Sequence, residues 1–126
     1  EIIEVKETSL ETKSQEALIK RVLEREGEQI LKRIPDNSRV VVLGLQGKQV
    51  DSVAFSAIME PVNNPQIQQL VFIIGGSHGL ADEVYQAADE CLSFGPMTFP
   101  HQLARIMLLE QIYRGQMILA GRTYHK

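Results

Sequence analysis

The stretch from Leu92 to Arg114, L-S-F-G-P-M-T-F-P-H-Q-L-A-R-I-M-L-L-E-Q-I-Y-R, restricts the possible folds more than any other part of the chain. It begins as a short apolar strand, breaks at Gly95-Pro96 and restarts as a helix that Thr98 is placed to cap. A proline in the first helical turn costs nothing, because the N–H it lacks would have had no partner there. Leu103, Ile106, Met107, Leu108, Leu109 and Ile112 do not fit one stripe of that helix. A helix apolar on several sides has to be covered on several sides, by its own sheet and by a second subunit.

Upstream, strands and helices alternate. Glu1–Lys6 has the pattern of a short strand, and a helix opens at Ser14 or Gln15 and runs to about Ile34, ended by Pro35-Asp36-Asn37. Arg39–Leu45 is a continuous aliphatic run, as in a strand buried on both faces of a parallel sheet; Gln46-Gly47-Lys48 is expected to turn the chain. A helix follows from about Ser52 to Met59, then a loop through Pro61, Asn63, Asn64 and Pro65. Gln69–Ile74 is a second buried strand running into Gly75-Gly76-Ser77-His78-Gly79, and Leu80–Glu90 is expected to be helical. Cys91–Phe94 is a third strand, and the long helix runs from Phe99 to about Arg114. Met117-Ile118-Leu119 adds one apolar turn or a strand before a polar end. The expectation is a single α/β domain over residues 1–126, with a mostly parallel sheet and helices on both faces.

Composition narrows the function classes. No apolar run approaches the roughly 18 residues of a membrane span, and Glu1-Ile2-Ile3-Glu4 has neither the basic start nor the apolar stretch of a signal peptide. The single cysteine, Cys91, sits among apolar residues and is read as a buried, reduced thiol, which fits a cytoplasmic protein. His78, His101 and His125 are too scattered to form a metal site. The net charge of −3 is unevenly spread: the segment from His101 onward carries +3 and the first hundred residues −6. A basic segment on an acidic body can meet phosphates, or it can be a solvated tail.

Three glycine-containing turns, Leu43–Gly47, Gly75–Gly79 and Phe94–Phe99, each follow a strand end, which is where open α/β sheets bind ligands. Any one of them is most simply a tight turn; three together argue for a pocket. His101 at a helix start is a candidate catalyst or a structural hydrogen-bonding group, with Arg105 one turn later. Tyr124-His125-Lys126 is a candidate site segment or a frayed tail. Glu110 and Arg114 have the spacing of a plain helix-surface salt bridge, and Tyr113 fits core or interface.

M-T-F-P-H-Q-L, L-L-E-Q-I-Y-R and the closing Y-H-K, with F-I-I-G-G-S-H-G-L and E-R-E-G-E-Q-I-L upstream, resemble the RlmH-type methyltransferases of the SPOUT superfamily. The resemblance runs in register from Glu1 to Lys126. It implies a deep trefoil knot at the end of the sheet, a homodimer formed through the long helix, and S-adenosyl-L-methionine as methyl donor. It also implies methylation of ring nitrogen 3 of a pseudouridine in 23S ribosomal RNA. By the same resemblance the cofactor contacts fall on Leu43, Gly47, Gly75, Phe94, Gly95, Pro96, Met97, Thr98 and Phe99. His101, Arg105, Tyr124 and His125 are the candidates for binding the base and assisting loss of its proton. Gly95-Pro96 departs from the family's usual small polar pair, and the family's arginine near Ala120 is missing. The family pattern also has a strand and helix ahead of the segment matching Glu1. Two rival readings follow: a truncated, inactive ribosome-binding protein of the same fold, and a small-molecule-binding α/β module that does not touch RNA.

Overall fold

A computed structural model of the chain describes residues 1–6, 16–60 and 65–126. The elements are α1 (Glu16–Arg33), β1 (Ser38–Gln49), α2 (Ser52–Ile58), β2 (Gln69–Ile74), α3 (Asp82–Ala87), β3 (Glu90–Ser93) and α4 (His101–Leu119). The three strands form one parallel sheet in the order β2-β1-β3. The longest strand, β1, therefore takes the centre, where both faces and both edges are covered.

Strand alternation divides β1 between two cores. Val40 and Val42 face a cluster with Ile73, Ala81 and Val84, closed by Leu23, Ile30, Leu31 and Ile34 of the α1 segment. Val41 faces the other way, onto Phe55, Leu92 and Leu108, with Leu43, Phe94 and Ile112 beside them. The helices thus lie on both faces: α1 against α3 on one, α2 against α4 on the other. Each helix pair is brought close by a glycine. A Cβ on Gly27 would stand 3.1 Å from Ala81 Cβ, and one on Gly115 would stand 2.7 Å from Met59 Cε.

Polar side chains secure the ends of the strands. Val40 N–H donates to Asp89 Oδ2 at 2.7 Å while Asp89 N–H donates to Val40 O at 2.8 Å, which fixes the start of β3 on β1. Arg39 donates from Nη1 to Ile58 O at the end of α2 (2.9 Å) and pairs through Nη2 with Glu90 Oε1 (3.2 Å). Asp51 caps α2, its Oδ1 accepting from Ala54 N at 2.8 Å.

Several expectations need correction. Glu1–Lys6 is not a strand: it is largely exposed, and among the described residues no strand edge pairs with it. Gln46-Gly47-Lys48 does not turn the chain out of the sheet, because β1 continues to Gln49. Leu92 is paired first with Leu43 and again with Lys48, so Gly44–Gly47 bulge out between the two contacts. Gly47 lies so close to Leu92 that a Cβ there would fall 2.4 Å from its carbonyl carbon. The helix expected over Leu80–Glu90 is confined to Asp82–Ala87, since Asp89 and Glu90 are drawn into the pairing with β1. Thr98 does not cap α4: the N-cap is Pro100, whose carbonyl accepts from Ala104 N at 3.0 Å. The start expected for α1 and the loop at Pro61, Asn63 and Asn64 fall outside the described residues.

Candidate active site at the sheet edge

Because all three strands run the same way, their C-terminal ends share one edge. Leu43 stands opposite Ile74 on one side and Leu92 on the other, so Gly44, Gly75 and Ser93-Phe94 follow in a row. The Gly75–Gly79 turn closes on itself, with Gly79 N donating to Gly76 O at 3.1 Å and Gly79 at φ +86°. Beyond β3, Ser93 Oγ accepts from Gly95 N at 3.0 Å and lies 3.1 Å from Gly95 O, and Gly95 has φ +116°. That backbone suits glycine, whereas any side chain there would be strained.

A cleft of about 560 Å³ opens beside this edge, between β1, β3, α2, α4 and the C-terminal segment. Leu43, Phe55, Leu92, Phe94 and Met107 supply its apolar wall, and Asp51, Ser52, Glu110, Gln111 and His125 its polar groups. Ser52 Oγ donates to Gln111 Oε1 at 2.7 Å and so ties α2 to α4 across the cleft. Apolar walls with a few converging polar groups are the usual make-up of a small-molecule site, and the volume falls in the common range.

Of the residues singled out from the sequence, Leu43, Phe94 and His125 line this cleft. Gly47 packs on β3 and Gly75 on its own turn. Gly95, Pro96, Met97, Thr98 and Phe99 form the connection from β3 to α4, with Met97 67% exposed. His101 and Arg105 are exposed on the first turns of α4. Arg114 lies thirteen residues past His101, or about 20 Å along the helix axis at 1.5 Å per residue. Since His125 contacts Arg114, the two groups of catalytic candidates sit apart along α4 within one chain, one on its first turns and the other beyond its middle.

The Tyr124-His125 segment is not a frayed tail. Arg114 Nη1 lies 3.1 Å from His125 Nδ1, and its guanidinium carbon sits 4.9 Å from the centre of the Tyr124 ring. Tyr124 meets Tyr113 edge to face with ring centres 4.8 Å apart. Glu110 accepts from Arg114 Nε at 2.6 Å, and that hydrogen bond pushes the guanidinium's pKa up from an already high ordinary value. Sequence reasoning kept Glu110 and Arg114 as a surface pair; the signal it passed over is the run of Tyr113 and Arg114 on a face with an aromatic and a histidine still to come. Cys91 is a free thiol but only half-buried, not the buried one its apolar neighbours suggested, and that partial burial raises its pKa.

Outward from the cleft, α4 carries Leu103, Ile106, Leu109 and Tyr113 exposed along one side, Ile106 at 62%. None of the described helices is long and apolar enough to cross a membrane. Among the described residues no group of three or more His, Cys, Asp or Glu side chains is placed to hold a metal ion.

A family model described as "Predicted SPOUT methyltransferase" matches residues 1–125. A protein of Enterococcus faecalis named Ribosomal RNA large subunit methyltransferase H is 46% identical over 126 residues, covering all of this chain and 79% of its own length. A protein of the same name from Lactococcus lactis subsp. cremoris is 43% identical over the same span, again 79% of its length. A third, from Mycoplasmopsis agalactiae, is 50% identical over 113 residues, 90% of this chain and 73% of that protein.

Proposed function

The chain belongs to the SPOUT methyltransferase family, and on that footing we propose that it methylates ring nitrogen 3 of a pseudouridine in 23S ribosomal RNA. The donor is S-adenosyl-L-methionine, and the enzyme works as a cytoplasmic homodimer. The observation that carries this reading is the whole-chain identity to relatives named for methylating large-subunit ribosomal RNA.

The residues at the sheet edge fit such a donor. Leu43 and Phe94 offer apolar surface to a flat base, and the Asp51 carboxylate in the cleft lining suits a cationic group. In this reading Leu43, Gly47, Gly75 and the run Phe94, Gly95, Pro96, Met97, Thr98 and Phe99 hold the cofactor, and a deep trefoil knot closes the edge around it. When bound, the cofactor supplies a methyl group already activated by its sulfonium. The chain's own residues have then to hold the acceptor nitrogen in line with that methyl, exclude water and ease loss of the N3 proton.

His101, Arg105, Tyr124 and His125 are the groups proposed to act on the RNA base. His101 and the His125 contact at Arg114 are about 20 Å apart along α4 in one chain, so a complete set is most simply assembled across a dimer, His101 and Arg105 from one subunit and Tyr124 and His125 from the other. The exposed stripe of Leu103, Ile106, Leu109 and Tyr113 supports α4 as the helix through which the subunits join.

Calorimetric titration with S-adenosyl-L-methionine tests the cofactor site. Saturable binding that Thr98→Trp weakens is the expected result; a folded chain that binds none would refute it. Methylation of ribosomes tests the acceptor. The Tyr124→Phe, His125→Ala double variant is expected to lose activity, and an unchanged rate would remove the C-terminal segment from the site.

A further inference from the structure

Glu110 and Arg114 do more than form a salt bridge on α4. Glu110 fixes the guanidinium through Nε at 2.6 Å, which leaves Nη1 to reach His125 Nδ1 at 3.1 Å while the same group stacks on Tyr124. Arginine donates only and does not lose its proton in proteins, so Nδ1 has to be the acceptor. A ring nitrogen that accepts carries no proton, and the remaining proton of the neutral imidazole is therefore on Nε2. His125 lines the cleft with Leu43 and Phe94. The ring nitrogen left for a ligand is thus a donor.

We infer that Glu110 and Arg114 are positioning residues that lock His125 in its Nε2–H tautomer, so that His125 meets the substrate as a hydrogen-bond donor and not as the base. This rests on the methyl transfer proposed above. Ring nitrogen 3 of a pseudouridine lies between two carbonyls. Loss of its proton to solvent water leaves a negative charge shared by the nitrogen and both carbonyl oxygens. His125 Nε2–H donates to one of those oxygens and stabilises the charge as it develops. The nitrogen lone pair then forms the N–CH3 bond as the carbon–sulfur bond breaks. Sulfur keeps that electron pair, and the positive charge of the donor and the negative charge of the base cancel. Imidazole takes no proton at any point.

Glutamine separates the two roles. Its amide oxygen can accept from Arg114 in place of Nδ1, and its amide N–H can donate in place of Nε2, but it cannot act as a base at neutral pH. On the full chain, His125→Ala is expected to lower kcat by about 100-fold, the size of one lost oxyanion donor, while His125→Gln stays within about fivefold of the parent. Equal loss in the two variants would overturn the donor role. The tautomer is read directly from the 15N shifts of the His125 ring, above the pH range where imidazole ionises. Widely separated shifts with Nδ1 bare are expected, merging toward the mixed-tautomer average in Arg114→Leu. A protonated Nδ1, or shifts indifferent to Arg114→Leu, would overturn the lock. Arg114→Leu should also lower kcat about tenfold or more with S-adenosyl-L-methionine affinity within about twofold; parallel loss of both would mark Arg114 as merely structural. If the parent chain transfers no methyl group to ribosomal RNA, the function proposed above fails, and the 15N measurement still decides the tautomer.

Discussion

The two faces of the sheet use the same device to different ends. On the α1–α3 face, Gly27 lets the helices close on each other and the core of Val40, Val42, Ile73, Ala81 and Val84 is sealed by aliphatic side chains. On the α2–α4 face Gly115 plays the same part, but a cleft lined by β1, β3 and both helices stays open beside the strand ends. Helix α4 also has an apolar side turned away from its own domain. One face therefore spends all its apolar surface on stability. The other divides it among core, ligand cleft and a second surface.

Leu108→Ala and Val84→Ala break this comparison most sharply. Leu108 is 5% exposed on the cleft face and Val84 is fully buried on the sealed one. Truncation should cost about 3 kcal/mol for the leucine and about 2 kcal/mol for the valine, from lost transfer energy and the cavity left behind. Urea unfolding reads both. Only Leu108→Ala should also weaken S-adenosyl-L-methionine binding, because it lies under the cleft.

Ile106→Glu separates core from outer surface. A charge placed on the exposed stripe should leave unfolding of the chain within about 0.5 kcal/mol, yet raise the dissociation constant of the proposed dimer by about 30-fold or more, roughly 2 kcal/mol, since there it would be buried unpaired between subunits. Sedimentation velocity distinguishes the two species.

Asp89→Ala acts on the sealed side. It removes the acceptor of the Val40 N–H, a group 4% exposed as a residue, and should cost about 1–2 kcal/mol. The cleft should keep its ligand affinity, because the Leu43–Leu92 pairing is untouched.

The smallest effect is alkaline. Burial raises the pKa of Tyr85, helped by the neighbouring Cys91 and Asp82, and burial raises that of Cys91. Both groups ionise less readily folded than unfolded. Stability is then intact below their ordinary values of 9.0 for the thiol and 10.0 for the phenol, and falls as pH rises through and above them. Both side chains are partly exposed, so the slope should be shallow, and Tyr85→Phe with Cys91→Ala should flatten it.

Much of this division was legible in the residues. The run Q-L-V-F-I-I is β2 to the residue, and the many-sided apolar character of α4 pointed to a helix with more than one neighbour. What escaped reading depended on partners distant in sequence. Gly47 looks like a turn until Leu92 comes back beside it, and Glu1–Lys6 looks like a strand although no edge among the described residues receives it. Thr98 has the chemistry of a cap, but Pro100 sets the boundary. The pattern of Glu110 and Arg114 is that of a solvated pair, and only the return of Tyr124 and His125 onto α4 gives it a further use.

The central position of β1 has a consequence for how the chain folds. Its two neighbours lie far off in sequence: Ser38 waits for Gln69, about thirty residues on, and Val41 for Glu90, about fifty. Each closure has to be made before its own sheet pairing offsets it, and the second also involves the doubled contact of Leu92. A helical hairpin of this size would collapse quickly from local contacts. This domain has to search, and the cleft face needs both the distant Leu92 and α4 in place before it is complete. Ligand affinity should therefore recover in the slowest phase of refolding, after the helical signal has largely returned.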